Sequence, residues 1–154
     1  MNLWEKFEKK NCKLLNSKIN IRFTKDVDKN LRNYYLQFIK YLRGKYVFPY
    51  PLNIYIKNDY KVKLSDGTMT YGKFFWYYNE NKCYIVIPSK IEEWLLDEYT
   101  LEEEYKMIMG SLVHELTHYF QNVLYKDQKN NISEKQANYY RYRILDEWGG
   151  FDNV

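Results

Sequence analysis

The spacing of apolar residues changes along this chain, and each change predicts an element. Leu3, Trp4, Phe7, Leu14 and Leu15 recur at helical intervals and predict a packing helix over residues 3–15. Ile19, Ile21 and Phe23 then alternate with Asn20 and Arg22, the period of a half-buried strand. From Asp26 the period lengthens. Leu31, Tyr34, Tyr35, Phe38, Ile39 and Leu42 share one face of an amphipathic helix, with Gly44 placed to end it. Beyond Pro49 and Pro51, Leu52, Ile54 and Ile56 alternate as another strand, and Asp66-Gly67 is a hairpin signal. Residues 71–78 and 83–88 read as strands around a turn at Asn79 to Lys82. Short links predict that the four or five strands form a mostly antiparallel sheet.

The second half is helical. After a short helix at Ile91 to Asp97, Thr100 stands where it caps a long helix running through Gly110 to about Tyr125. Glu102, Glu103 and Glu104 suit that helix's positive end. Gly110 costs about 1 kcal/mol against Ala inside a helix, so another backbone is expected to approach it closely. A last helix is expected from Glu134 to Trp148, turning Ala137, Tyr140, Ile144 and Trp148 inward, with Gly149-Gly150 to stop it. Ser133 and Gln136 form an S-x-x-Q capping box at its start, and the polar loop Lys126 to Ile132 joins it antiparallel to the long helix.

At 154 residues, without repeats or linkers, the chain is expected to form one domain over 1–154. It has no apolar run of roughly 18 residues, so no membrane span is expected. The N-terminus lacks the apolar core of a signal peptide, which points to a cytoplasmic protein. Cys12 and Cys83 are too few for a disulfide framework and read as reduced thiols. The net charge of +4 is spread among interspersed acids and bases, so a nucleic-acid partner is not expected. The 18 tyrosines could stack on bases, but they are read here as amphipathic filling for a small core with wet edges. Nothing in the pattern bears on oligomeric state.

One stretch adds chemistry. His114, Glu115 and His118 spell H-E-x-x-H, and they include both histidines of the chain. Residues four apart project from one helix face, so two imidazoles spaced this way can share a metal ion. Glu115, rotated by about 100°, stands beside that ion within reach of a water. Such an arrangement serves a zinc hydrolase. The alternative is a hydrogen-bonded histidine pair on a buried helix with no metal.

A catalytic zinc usually takes three protein ligands, so with no third histidine the remaining one must be Cys, Asp or Glu. Gln121 and Leu124 stand where the metzincin pattern needs Gly and His, which excludes that class. Glu134 is favoured, because an antiparallel second helix would return it to the histidines. Cys12 and Cys83 have weaker spacing support, and an ordinary first-turn acid remains the alternative for Glu134. Glu134-x-x-Ala137-Asn138 resembles the E-x-x-A-N/D signature of the gluzincins, and is similar to that of small ImmA/IrrE-like metallopeptidases and minimal gluzincins. The resemblance covers about residues 107–145. It implies an α+β zincin-like fold in which the sheet packs on the H-E-x-x-H helix and the glutamate helix. It further implies Zn2+ held by His114, His118 and Glu134, with Glu115 as the general base of a metallopeptidase acting on a peptide or protein substrate. Asn138 then replaces an aspartate that hydrogen-bonds a ligand histidine.

The expected reaction is attack by a zinc-activated water whose proton Glu115 takes and returns to the leaving amine. Strand 83–88 or 71–78 would hold the substrate extended. Oxyanion candidates are Tyr125, Tyr139, Tyr140, Tyr142, Arg141 and Arg143. Two rivals remain: a zincin-fold binding or regulatory protein with a structural or inactive metal site, and a hydrolase of non-peptide amides.

Overall fold

The computed structural model describes residues 1–77, 80, 82–124 and 130–153. It is an α+β fold in which a small mixed sheet backs a long helix. Helices α1 (Leu3–Lys6) and α2 (Lys29–Lys45) flank strand β1 (Ile19–Phe23), and β2 (Leu52–Lys57) follows. A small hairpin of β3 (Val62–Lys63) and β4 (Met69–Thr70) leads to β5 (Lys73–Tyr77) and β6 (Lys82–Pro88). Then come α3 (Glu93–Leu96), α4 (Leu101–Leu124), α5 (Asn130–Tyr140) and α6 (Arg143–Trp148). Residues Tyr78, Asn79 and Asn81, in the expected strand end and turn, and 126–129 of the expected loop lie outside the described residues.

The main sheet has the order β1-β2-β6-β5, with β1, β2 and β6 parallel and only β5 antiparallel. This corrects the expectation of a mostly antiparallel sheet. Long connections are the cause: α2 is the crossover between β1 and β2, and the β3–β4 hairpin with β5 intervenes between β2 and β6, so each pair can run parallel. Ile54 pairs with Ile21 on one side and Ile85 on the other, so aliphatic residues line up across the face toward the helices. That face, α1, α2, α4 and Phe151 share one cluster of buried residues.

Helix α1 ends at Lys6, far short of residue 15. Leu3, Trp4 and Phe7 are buried, whereas Leu14 and Leu15 are 52% and 90% exposed, so no core remains for a longer helix to cover. Trp4 fastens α4 from behind: its indole packs on Phe120 at 4.9 Å, and Nε1 donates to Thr117 Oγ1 at 3.0 Å. Tyr119 of α4 accepts from the Tyr50 amide at 2.9 Å and donates to its carbonyl at 2.8 Å. The N-terminus of α4 forms the expected cap as a reciprocal box, with Thr100 Oγ1 accepting from the Glu103 amide and Glu103 accepting from the Thr100 amide.

Helix α5 starts at Asn130, before Ser133, so the expected S-x-x-Q box does not form. Ala137, Tyr140 and Ile144 are buried as expected, and Gly149 closes α6 in the left-handed conformation. The expected continuous last helix breaks at Arg141–Tyr142. Gly110 explains the break from the other side. A Cβ there would stand 2.9 Å from Tyr142 Cε1 and 3.0 Å from Arg141 Cγ. Its close neighbours are therefore these two side chains rather than a backbone of the sheet. No described helix is long and apolar enough to cross a membrane.

Candidate metal centre

One helical turn of α4 sets His114 above His118, and both Nε2 atoms face the same point 3.2 Å apart. From α5, Glu134 reaches the same place, with Oε2 3.2 Å from His114 Nε2 and Oε1 2.8 Å from His118 Nε2. All three ligand atoms lie within 4.8 Å of one another. Ligands held tetrahedrally at about 2.0–2.2 Å from a zinc stand roughly 3.3–3.6 Å apart. The two imidazole nitrogens, 3.2 Å apart, stand close to that separation, and Glu134 offers a different oxygen to each ring, so the residues fit an ion of this kind with one carboxylate oxygen turned to it. Glu134 is the outermost of the three, with a side chain 56% exposed. Cys83 drops out as a ligand: it is buried, its Sγ donates to the Pro51 carbonyl, and burial pushes its thiol up to about 12. Cys12 is not in the cluster either.

The second nitrogens of the rings show how each imidazole is held. His118 Nδ1 lies 2.8 Å from Gln121 Oε1. Gln121 Nε2 donates to the Ser133 carbonyl at 3.0 Å and to Gln136 Oε1 at 2.8 Å, which fixes the amide orientation. An amide oxygen only accepts, so Nδ1 of His118 carries the proton and Nε2 turns a lone pair to the centre. That nitrogen lies 2.8 Å from Glu134 Oε1. His114 Nδ1 meets Arg141 Nη2 at 3.1 Å, and its ring is also hydrogen-bonded by the Asn138 side chain. A guanidinium only donates, so Nδ1 of His114 accepts from Arg141 and the ring proton sits on Nε2; metal ligation through Nε2 requires that contact to give way and the proton to move to Nδ1.

Electrostatics favour a neutral His114. Burial, followed by repulsion from Arg141 and His118, lowers His114 to about 4 against the attraction of Glu134, so it is uncharged near neutrality. Glu115 is 8% exposed, and its burial raises the carboxyl to about 7 against the pull of His118, Lys73 and Arg141. A group that titrates near neutrality can both take and return a proton there.

Glu115, His114 and Glu134 line one cavity of about 230 Å³ together with residues 70–72, Ser111, Asn138 and Arg141. Gly72 packs closely on this wall of the site: a Cβ there would crowd Ile87 Cδ1 at 3.0 Å and meet Glu115 Cγ at an ordinary 3.5 Å. A second cavity of about 330 Å³ adjoins it, sharing Tyr71, Ser111 and Arg141 and lined mainly by apolar groups such as Ile91, Met107 and Tyr142.

Of the oxyanion candidates, Arg141 alone is brought to this cavity among the described residues; Tyr125 lies outside them. Tyr140 is buried and accepts from the Leu3 amide, Tyr142 lines only the second cavity, and Arg143 lies over the exposed Tyr139 ring. Strand 83–88 is interior to the sheet, which leaves β5 as the edge beside the site. Sequence reasoning missed Gln121 as a support for His118. Its signal was available: a polar residue three positions on, on the same face of an otherwise apolar helix. No protein-family model, curated protein or solved structure matches the chain.

Proposed function

We propose that this chain is a small zinc-dependent metallopeptidase of zincin-like, gluzincin type. The observation that carries it is the convergence of His114, His118 and Glu134 on one point, with the buried Glu115 in the same cavity. A zinc ion held by this set supplies Lewis acidity and brings a water's pKa near neutrality. Glu115 takes the proton of the attacking water and returns it to the leaving amine, a role suited to a carboxyl raised to about 7. Gln121 holds the tautomer of His118, and Arg141, which reaches both His114 and the cavity, offers its other donors to an oxygen of the substrate. The free edge of β5 suits an extended peptide, and the 330 Å³ cavity suits an apolar side chain beside the cleaved bond. A site cavity of about 230 Å³ suits a restricted protein substrate rather than general digestion.

The test is Glu115→Gln, compared with wild type on a library of unfolded polypeptides read by mass spectrometry for new termini. The account expects zinc content and folding to persist while cleavage falls by about 10²-fold or more. Unchanged biological effect in that variant would favour a binding or regulatory protein instead. Cleavage of small non-peptide amides with no new peptide termini would favour the other hydrolase class.

A further inference from the structure

The pleat of the sheet does something that the linear sequence hides. Phe74 and Trp76 point toward α4, where both rings meet Tyr119. Their neighbours point the opposite way. Phe75 stacks on Tyr84 at 4.7 Å, Tyr55 meets Tyr84 edge-on at 6.2 Å, and the Tyr77 hydroxyl lies 3.0 Å from that of Tyr84. These four rings form a row across β2, β6 and β5 on the face away from the helices, ending on Tyr77 at 48% exposure.

The same alternation sorts charge. Arg22, Lys57, Lys73 and Lys82 occupy outer-face positions of the four strands, and no outer-face strand position carries an acid. Among the described residues, the one ion pair made by these cations joins Lys82 to the exposed Glu80 at 3.8 Å. Acids and bases that interleave along the chain are thus separated in space, which removes the ground on which nucleic acid was set aside. A block of parallel strands is also almost always covered on both faces. Here β3 lies against β6 at the Val86 end, where Val86 and Pro88 are buried, while the aromatic end remains open.

We propose that this outer face binds single-stranded nucleic acid, with the aromatic row stacking on bases and the surrounding cations meeting phosphates. Rings give sequence-tolerant stacking, and cations on strand positions that carry no acid supply the salt-dependent part of the affinity. A duplex hides its base faces and cannot use the row. An acidic protein would use the cations but gain little from exposed ring faces. The surface lies on the opposite side of the sheet from the candidate metal centre, and of its cations Lys73 also acts on the Glu115 carboxyl.

The test is fluorescence anisotropy of the full chain with labelled oligothymidylate, oligouridylate and a duplex of equal length, at about 50 mM and 200 mM salt. Single strands are expected to bind more tightly than duplex. Phe75→Ala is expected to weaken them roughly 5- to 150-fold, the range for losing one stacked base. The exposed pair Arg22→Glu with Lys57→Glu lies outside the core, and should lower the slope of log affinity against log salt by roughly 0.7 per lost phosphate contact. Circular dichroism of each variant checks its fold. Several outcomes overturn the proposal: no binding at the lower salt, equal binding of duplex, competition by polyglutamate as effective as by oligonucleotide, or indifference to both sets of substitutions. A dimer in sedimentation that Arg22→Glu dissolves would assign the face to a second copy of the chain.

Discussion

Helices α4 and α5 both carry ligands, but they are held by opposite means. The histidine turn of α4 is packed on the faces away from the cavity: Leu112, Val113 and Leu116 have no exposure, Thr117 is tied to Trp4, and Tyr119 is tied to Tyr50. The ligand end of α5 is held differently. Glu134 is mostly exposed, and the described links near it are hydrogen bonds from Gln121 to the Ser133 carbonyl and to Gln136. Apolar packing thus holds the turn that carries the two histidines, and a polar latch joins it to the helix that carries Glu134. Gln121 belongs to both arrangements, because the same amide orients His118 and grips α5.

Breaking the latch should separate metal affinity from stability. Gln121→Ala removes the acceptor of His118 Nδ1 and both grips on α5, and is expected to weaken zinc binding about 10- to 100-fold, measured by competition with a chelating dye. The matching change behind α4 should do the reverse. Trp4→Phe keeps the aromatic packing but removes the donor to Thr117; it should cost about 1–2 kcal/mol in urea unfolding and leave zinc affinity unchanged. If both substitutions moved both quantities alike, the division between packed and latched ligands would fail.

The smallest effect concerns pH in the metal-free protein. Glu115 keeps its proton up to about pH 7 when folded, against an ordinary value of 4.5, so the folded state holds the extra proton between those values. Its contribution to stability is therefore lost as pH rises through that window. His114 has the opposite sign. Its folded value of about 4 lies below the ordinary 6.5, so the unfolded state takes up the extra proton between them and stability falls as pH drops. The two slopes oppose each other in the wild type. In Glu115→Gln only the histidine slope remains, and urea unfolding of the chelator-treated variant should show stability rising with pH from about 4 to 6.5 more steeply than wild type.

What could be read along the chain was local. Helical periodicity placed His114 and His118 on one face, and the strand at 52–57 and the hairpin around Asp66-Gly67 follow from alternation and turn chemistry. Glu134 was legible because its spacing to Ala137 and Asn138 is local too. Strand direction was not, since it depends on α2 crossing from one strand to its neighbour rather than on either strand's own residues. Arg141 reaches His114 only because α5 and α6 break against Gly110, a contact made through space. Charge on the outer sheet face was hidden for the same reason: pleating separates neighbours in sequence, and four strands must align before the cations gather.

Calorimetric titration of chelator-treated protein with zinc tests the metal centre most directly. One equivalent is expected to bind, with binding lost in His114→Ala and greatly weakened in Glu134→Ala. Zinc uptake that is absent in the wild type, or unchanged in His114→Ala, would contradict it.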